Sequence, residues 1–424
     1  MRFLLLNQFF APDPAPTGQL LADLARELAA RGHSVTVVCS RTSYAANNSR
    51  TLRAPHVEPA RYRAHRSVPP DVSVSITYTP ALPFGRSFPA RLLSYLSFYL
   101  GALWHGLRLP CPDVVVTLTT PPLLAAIGAI LRRIRRARHY IWEMDVYPDI
   151  AVALGVLSPG SWLTRAIGAI ADHCRRQADG VIVLGPCMRD RLLAHCAGAS
   201  ICIAENWADG SQIRPAPLPS GPLTVLYSGN LGLAHDTATI AAAMERLKDD
   251  ARFRFVFAGG GPRRPALERF SRAASLANAT FTGYAGAARL SAHLAACHIG
   301  LVTQTPASLG AVVPSKIYAL MAAGRPVLYI GPRHSTLAGI LEAFHCGWQV
   351  DPGDPTPVIQ LLDTLAMRPG LMVQAGARAR AAFEAHYDRP AAVARILDFL
   401  PNEPVSELQP FEAAGHAQPA AVQR

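Results

Sequence analysis

The cysteines and histidines of this chain show no zinc-ligand spacing. The eight cysteines, at 39, 111, 174, 187, 196, 202, 297 and 346, include no Cys-x-x-Cys pair, and no cysteine–histidine cluster has zinc spacing. Scattered thiols in a chain of 424 residues read as buried and reduced, which points to the cytoplasm. The first residues do not read as a leader. Met1-Arg2-Phe3-Leu4-Leu5-Leu6-Asn7 is too short for the apolar part of a signal peptide and has no small-residue cleavage site, so it reads as a first strand. The longest apolar segment, 92–107, falls short of the ~20 residues that span a bilayer. Acidic residues are in deficit, 29 against 41 basic, which leaves a formal charge of +12. That excess favours an anionic partner: a nucleotide diphosphate, a phospholipid surface or nucleic acid. The arginines are not interleaved with aromatics as base stacking requires, which argues against nucleic acid.

What the chain does have is length and rhythm. Its 424 residues, half of them apolar, suit two domains of ~200 residues. An apolar run at 2–6 is followed by a Pro- and Asp-rich loop. Leu20, Leu21, Leu24 and Leu28 then recur at helical spacing, Gly32 stands at a helix stop, and 34–39 is a second strand. This is a βαβ unit and implies a parallel sheet. Further strands are expected at 72–78, 113–118, 139–142, 180–184 and 200–203, with helices at 90–107, 122–136, 161–177 and 187–195. Residues 41–70 read as a mobile loop.

Residues 208–222 are Pro-rich and read as a linker. The rhythm then restarts, with strands at 223–227, 252–258, 299–302, 326–330 and 348–350 and a helix from about Asp236. The expectation is α/β: two doubly wound, Rossmann-like domains at 1–207 and 223–387, a last helix within 388–401, and a disordered tail at 402–424.

Two helices bear on membranes. Residues 92–107 are apolar nearly all round. They read either as a helix buried against the sheet or as an interfacial helix flanked by Arg86, Arg91 and Arg108. In the next helix Leu124, Ile127, Leu131 and Ile134 form an apolar stripe. Six basic residues from Arg132 to His139 make either a solvated face or a surface for anionic lipid.

Ligands of open α/β sheets sit beyond the carboxyl ends of the strands, so the loops there are the candidates for chemistry. In the loop from Ala11 to Gly18, Thr17 is placed to cap the following helix, and Gly18 lets backbone N–H groups approach an anion; Asp13 lies in the same loop. The loop lacks the GxGxxG pattern of dinucleotide sites. Ser228-Gly229-Asn230-Leu231-Gly232 and Gly259-Gly260-Gly261-Pro262 follow successive strands and together make a phosphate or nucleoside site, or else serve as plain turns. Pro314 is placed for a first helical turn, which puts Ser315 and Lys316 at a helix N-terminus. A cation is unfavourable there, and a bound phosphate would relieve the conflict; a solvated lysine is the other reading. Trp142-Glu143-Met144-Asp145-Val146-Tyr147-Pro148-Asp149 sets three carboxylates just past a strand. Asp145 is the first candidate to position an acceptor hydroxyl or stabilise a positive sugar centre, with Glu143 beside it.

Taken in order, these motifs resemble family-4 glycosyltransferases, and most of all the WbuB-like branch of bacterial O-antigen, capsule and exopolysaccharide synthesis. The carrying residues are Ala30-Arg31-Gly32-His33-Ser34-Val35, Tyr227 to Gly232, Phe257 to Pro262, and Val313-Pro314-Ser315-Lys316 with Ala322 to Val327. The resemblance covers about residues 1–400. It implies a GT-B fold, with a donor nucleotide held mostly by the second domain and an acceptor mostly by the first; the basic surface and helix 92–107 point to a lipid-linked saccharide as that acceptor. It also implies hexosyl or N-acetylhexosaminyl transfer with retention and no obligate metal or other cofactor. Gly18, Gly229, Asn230, Gly259, Gly260, Gly261, Pro314, Ser315 and Lys316 would then face the donor, and Asp13, Thr17 and Glu143 the acceptor. Charge and helix 92–107 suit an enzyme peripheral at the inner face of the plasma membrane.

The chain departs from the family pattern at several positions. Ser308 and Lys316 stand where many members carry two glutamates, and Leu309-Gly310 stands where close relatives often keep Glu-Gly. Asn230 and His235-Asp236 stand in place of an Arg/Lys pair, which leaves Lys316 and Arg263 to supply positive charge. A nucleotide-sugar epimerase shares the architecture, and a transferase-like binding subunit without catalysis fits the missing glutamates.

Overall fold

The structure, a computed structural model, describes residues 1–13, 15–41, 74–82 and 88–401. Most of the expected loop 41–70 and the whole of the tail 402–424 lie outside the described residues.

Two all-parallel sheets form, as expected. The first holds β1 (Arg2–Leu6), β2 (Ser34–Ser40), β3 (Val74–Thr79), β4 (Val114–Leu118), β5 (Arg138–Trp142), β6 (Gly180–Val183) and β7 (Ile201–Ile203), in the order β3-β2-β1-β4-β5-β6-β7. The second holds β8 (Leu223–Ser228), β9 (Phe253–Ala258), β10 (Ala279–Thr282), β11 (Ile299–Thr303), β12 (Val327–Ile330) and β13 (Gly347–Val350), in the order β10-β9-β8-β11-β12-β13. Strand β4 is buried at every position, as a parallel strand covered on both faces should be. In each sheet the order reverses beside the first strand, between β1 and β4 and between β8 and β11. That reversal opens the crevice where doubly wound folds bind ligands. Strand β10 was not expected from the sequence. It is a short edge strand with no buried position, so no apolar run marks it.

Helix α1 (Pro16–Ala30) buries Leu21, Leu24 and Leu28. Ala15, not Thr17, stands at its cap, so Thr17 lies inside the first turn and cannot serve as the capping residue. Helix α2 (Phe88–Arg108) is longer than expected and two-faced. Ser94, Phe98 and Ala102 are buried, while Leu93, Leu96, Leu100 and Trp104 are exposed. Helix α3 (Ala125–Arg135) buries Ile127 and Leu131, but Ile134 points outward with Ile130, against the expected stripe. The expected run of six bases also shrinks. His139 is fully buried against Thr117, and Arg132 is paired with Asp179 at 2.9 Å.

The Pro-rich segment 208–222 is irregular but pinned. Arg325, itself buried, donates to the Pro217 carbonyl at 3.0 Å, and Arg380 donates to that of Ile213 at 3.1 Å. The last described helix, Arg389–Phe399, starts beside that segment. Asp388 caps it and also accepts from Gly210 N–H. The helix then lies across the first sheet, where the Phe399 ring fills the space left by Gly180 and meets Tyr140 edge-on at 5.6 Å. No described helix is long and apolar enough to cross a membrane, and no His/Cys/Asp/Glu cluster among the described residues could hold a metal. All eight thiols are free; five are buried as expected, but Cys187 and Cys202 are only partly buried and Cys111 is exposed.

Candidate active site

The two crevices face one another. On the second domain, the loops after β8 and β9 pack backbone to backbone. Leu231 N–H donates to the Gly260 carbonyl at 2.7 Å. A Cβ on Gly259 would lie 2.1 Å from the Gly229 carbonyl oxygen, so only glycine permits this approach. Gly261 meets the Leu231 backbone in the same way, and Gly260 lies against the Tyr284 ring. The glycines thus shape the floor, and the Asn230 side chain is exposed at its rim.

Above that floor lies Lys316. The helix Lys316–Ala322 begins at this residue, with Ser315 at the cap and Pro314 ahead of it, not within the first turn as expected. The Lys316 Nζ sits 5.1 Å from the Tyr227 ring centroid and 3.4 Å from His235 Nε2. A Cβ on Gly229 would lie 2.8 Å from Lys316 Cε, so the lysine stem lies on the glycine loop. Burial pushes the Lys316 ammonium down to about 8. No ion pair with a carboxylate is found for it among the described residues. A cavity of about 260 Å³ opens here, lined by Ser228, Gly229, Tyr284, Ser315 and Lys316. Ser308 does not face this space. It is buried, and its hydroxyl donates to the Thr305 carbonyl at 2.9 Å, with the Ala234 carbonyl at 3.4 Å. Arg263 is turned toward the Leu233 carbonyl at 3.1 Å.

On the first domain, Asp145 follows β5. Its backbone N–H and that of Met144 both donate to Thr119 Oγ1 at 3.2 Å, which fixes the loop. Burial, with Glu143 adding repulsion, lifts the Asp145 carboxyl to about 6. Glu143 is occupied otherwise: it is buried, and Arg175 Nε meets it at 2.8 Å. Asp149 pairs with Arg191 at 2.5 Å. Of the three carboxylates, Asp145 alone has no basic partner among the described ion pairs. In the α1 loop, Asp13 accepts from Ala15 N–H at 2.8 Å, and Thr17 lies 3.5 Å from Asn7 Nδ2. Gly18 lets the helix pack on the Phe9–Phe10 backbone, and its N–H is given to the Ala15 carbonyl.

The two halves touch at the site itself. Asp145 forms an antiparallel bridge with Val312, and Val146 N–H donates to the Ala311 carbonyl at 2.9 Å. The partner segment curls around Gln304, whose Nε2 donates to the Ser308 and Val312 carbonyls and whose Oε1 accepts from Tyr329. Asp145 and Lys316 are therefore coupled through one short stretch of chain. Sequence reasoning missed Thr119 and Gln304, and named His235 only as a departure from the family pattern. Thr119 and His235 act through hydrogen bonds to distant backbone, and Gln304 through bonds inside its own loop, none of which leaves a motif.

Residues 17–207 match the family described as "Glycosyl transferase 4-like domain", and residues 222–367 match "Glycosyl transferases group 1". The chain is 27% identical to a probable glycosyltransferase, WbjE, of Pseudomonas aeruginosa, over 70% of this chain and 78% of the relative. It is 23% identical to WcaI of Escherichia coli, a putative colanic acid biosynthesis glycosyl transferase, over 81% and 86%. Among solved structures it is similar to the sucrose-phosphate synthase of Thermosynechococcus elongatus, with a TM-score of 0.71 at 16% identity over 94% and 98% of the two chains. It is also similar to WaaG, a glycosyltransferase involved in lipopolysaccharide biosynthesis, with a TM-score of 0.68 at 15% identity over 95% and 100%. The HepE protein of Anabaena, solved with UDP-glucose, gives 0.67 at 16% identity over 94% and 100%.

Proposed function

Since the chain belongs to the family-4 glycosyltransferases of GT-B fold, we propose that it moves a hexosyl or N-acetylhexosaminyl group from a nucleotide-diphosphate sugar to a lipid-linked saccharide in cell-surface polysaccharide synthesis. The observation that carries the donor half is Lys316, a half-buried cation with no described carboxylate partner, lying on a glycine floor. A diphosphate in the adjoining cavity completes its charge. As the bond from the sugar to the diphosphate breaks, the electrons go to the leaving oxygens, and a fixed cation in a dry site stabilises them more than water does. No metal is needed for that step. On the other side, Asp145 at about 6 is ionised near neutrality yet basic enough to take the proton of an acceptor hydroxyl. Reaction at one face of the sugar, with retention, is the outcome we assign.

The acceptor half rests on α2. Its outer stripe is exposed, with Leu100 at 71% exposure, and so are Ile130 and Ile134 of α3, which packs on α2, and Trp162 of the helix Trp162–Gln177, which packs on α3. Arg91, Arg108, Arg133 and Arg136 are exposed along the same helices, and Arg108 stacks on Trp104 at 3.7 Å. Apolar side chains among arginines suit an anionic bilayer surface. The buried face of α2 reaches the first crevice, where Ser94 accepts from Gln8 at 3.1 Å. A lipid-linked acceptor would thus be delivered along the helix that meets the lipid.

Melting the protein with UDP-, GDP-, dTDP- and ADP-sugars tests the donor half, since a ligand of the native state raises the melting point. The reading predicts a rise with one of them and transfer to a lipid-linked saccharide undiminished by EDTA. No rise with any donor would sink it. Isomerised donor without acceptor would make the chain an epimerase.

A further inference from the structure

This chain has 41 basic residues, yet only two are lysines, Lys248 and Lys316. Everywhere else the sequence uses arginine. A lysine ammonium is compact and has three donors on a flexible stem, so it goes where a group must point and needs support to keep pointing. The support at Lys316 is visible. The Tyr227 ring lies below it, the Gly229 backbone beside its stem, and His235 Nε2 at 3.4 Å from its Nζ.

His235 is itself held from the other side. Its Nδ1 is 2.7 Å from the Thr303 carbonyl oxygen. A carbonyl only accepts, so Nδ1 carries the hydrogen, and the neutral ring then has its lone pair on Nε2. Burial, reinforced by the Lys316 charge, pushes the ring down to about 3, so it stays neutral at any working pH. The ring also stands edge-on to Tyr227 at 5.7 Å and cannot swing away without leaving that contact.

We propose that His235 is a positioning residue for the donor: locked in one tautomer by Thr303, it accepts a hydrogen bond from Lys316 and keeps that ammonium aimed at the diphosphate over the Gly229 loop. The inference rests on the donor-site reading of Lys316 given above. It also explains how the site dispenses with a carboxylate beside Lys316. A carboxylate would orient the lysine but neutralise it, whereas a neutral imidazole orients it and leaves its charge for the ligand. His235 is thus a distinct element of the site, separate from the charge that binds.

With two lysines, side-chain 15N labelling of lysine gives two Nζ signals, and Lys316→Arg assigns them. Inorganic pyrophosphate is the probe, read on the Lys316 signal. Two variants separate positioning from plain structure. In His235→Asn the amide N–H can keep the Thr303 bond, but nothing reaches Lys316. In His235→Gln the amide oxygen lies near the position of Nε2. The expected order is wild type tightest, His235→Gln within about threefold, and His235→Asn weaker by about tenfold or more, with folding checked by circular dichroism. Donor KM should follow the same order while kcat with saturating donor changes less. If Asn binds like wild type, or if Gln is the weaker of the two, His235 is only a structural residue and the proposal falls. If pyrophosphate does not move the wild-type Lys316 signal at all, the donor-site reading falls and the positioning role with it. Failure of His235→Asn to fold while His235→Gln folds also overturns the proposal, since the Thr303 bond would then not suffice to hold the site.

Discussion

Asp145 is held at a cost. A carboxyl whose folded value lies above its unfolded one destabilises the fold once ionised. The penalty is absent below pH 4, grows through pH 4–6 and is full above pH 6. Asp145→Asn should therefore raise stability at pH 7.5 by about 1–3 kcal/mol while lowering kcat by about 100-fold or more. Denaturant melts and initial rates check both; a variant that is active, or less stable, contradicts the assignment. Lys316 gives the opposite limb. Its ammonium is near 8, and a diphosphate bound as proposed would raise it, so donor affinity is expected to be full below pH 8 and to fall as pH climbs past it. The titratable groups facing it are His235, already neutral, Tyr227 and Tyr284, with Arg263 farther out. Calorimetric titration of donor between pH 7 and pH 10 should show the fall, and Lys316→Gln should flatten it.

Strands were legible where the sequence carries an apolar run. β1 to β9 and β11 to β13 appear within a residue or two of their expected bounds. β10, Ala279–Thr282, alternates with threonine and has no such run, although Gly283 follows it. Glycine loops were legible as loops, but their purpose was not: Gly259 and Gly261 serve the close packing of one loop on the next, which is a tertiary fact. The same holds for Glu143, whose fate depends on Arg175, far along the chain. For α2 the sequence left two readings open, and the structure divides the helix between them. Its inner face is core. Its outer stripe supports the prediction that Leu96→Asp with Leu100→Asp lowers sedimentation with anionic vesicles by about tenfold or more at low salt, with donor binding unchanged. Equal sedimentation of wild type and variant would remove α2 from the surface.

On the proposed reading, Asp145 and Lys316 serve one reaction, so the two sheets must meet. The bridge from Asp145 to Val312 depends on Gly310, which has φ of +72° and whose missing Cβ would lie 2.7 Å from the Cys187 carbonyl oxygen. Gly310→Val should pry this contact open. Donor affinity should stay within about threefold of wild type, since the glycine floor and Lys316 are untouched, while kcat falls by about tenfold or more because Asp145 and the donor are misaligned. Stopped-flow binding beside steady-state rates distinguishes this from a collapse of the donor site.

The helix Arg389–Phe399 sets an order on the making of the molecule. Its Phe399 closes the slot over Gly180 in a sheet whose strands were all synthesised before residue 204. On the ribosome the first half of the chain waits with that slot uncovered while the second half emerges and folds. Translation finishes the molecule in reverse: the domain begun first is completed last.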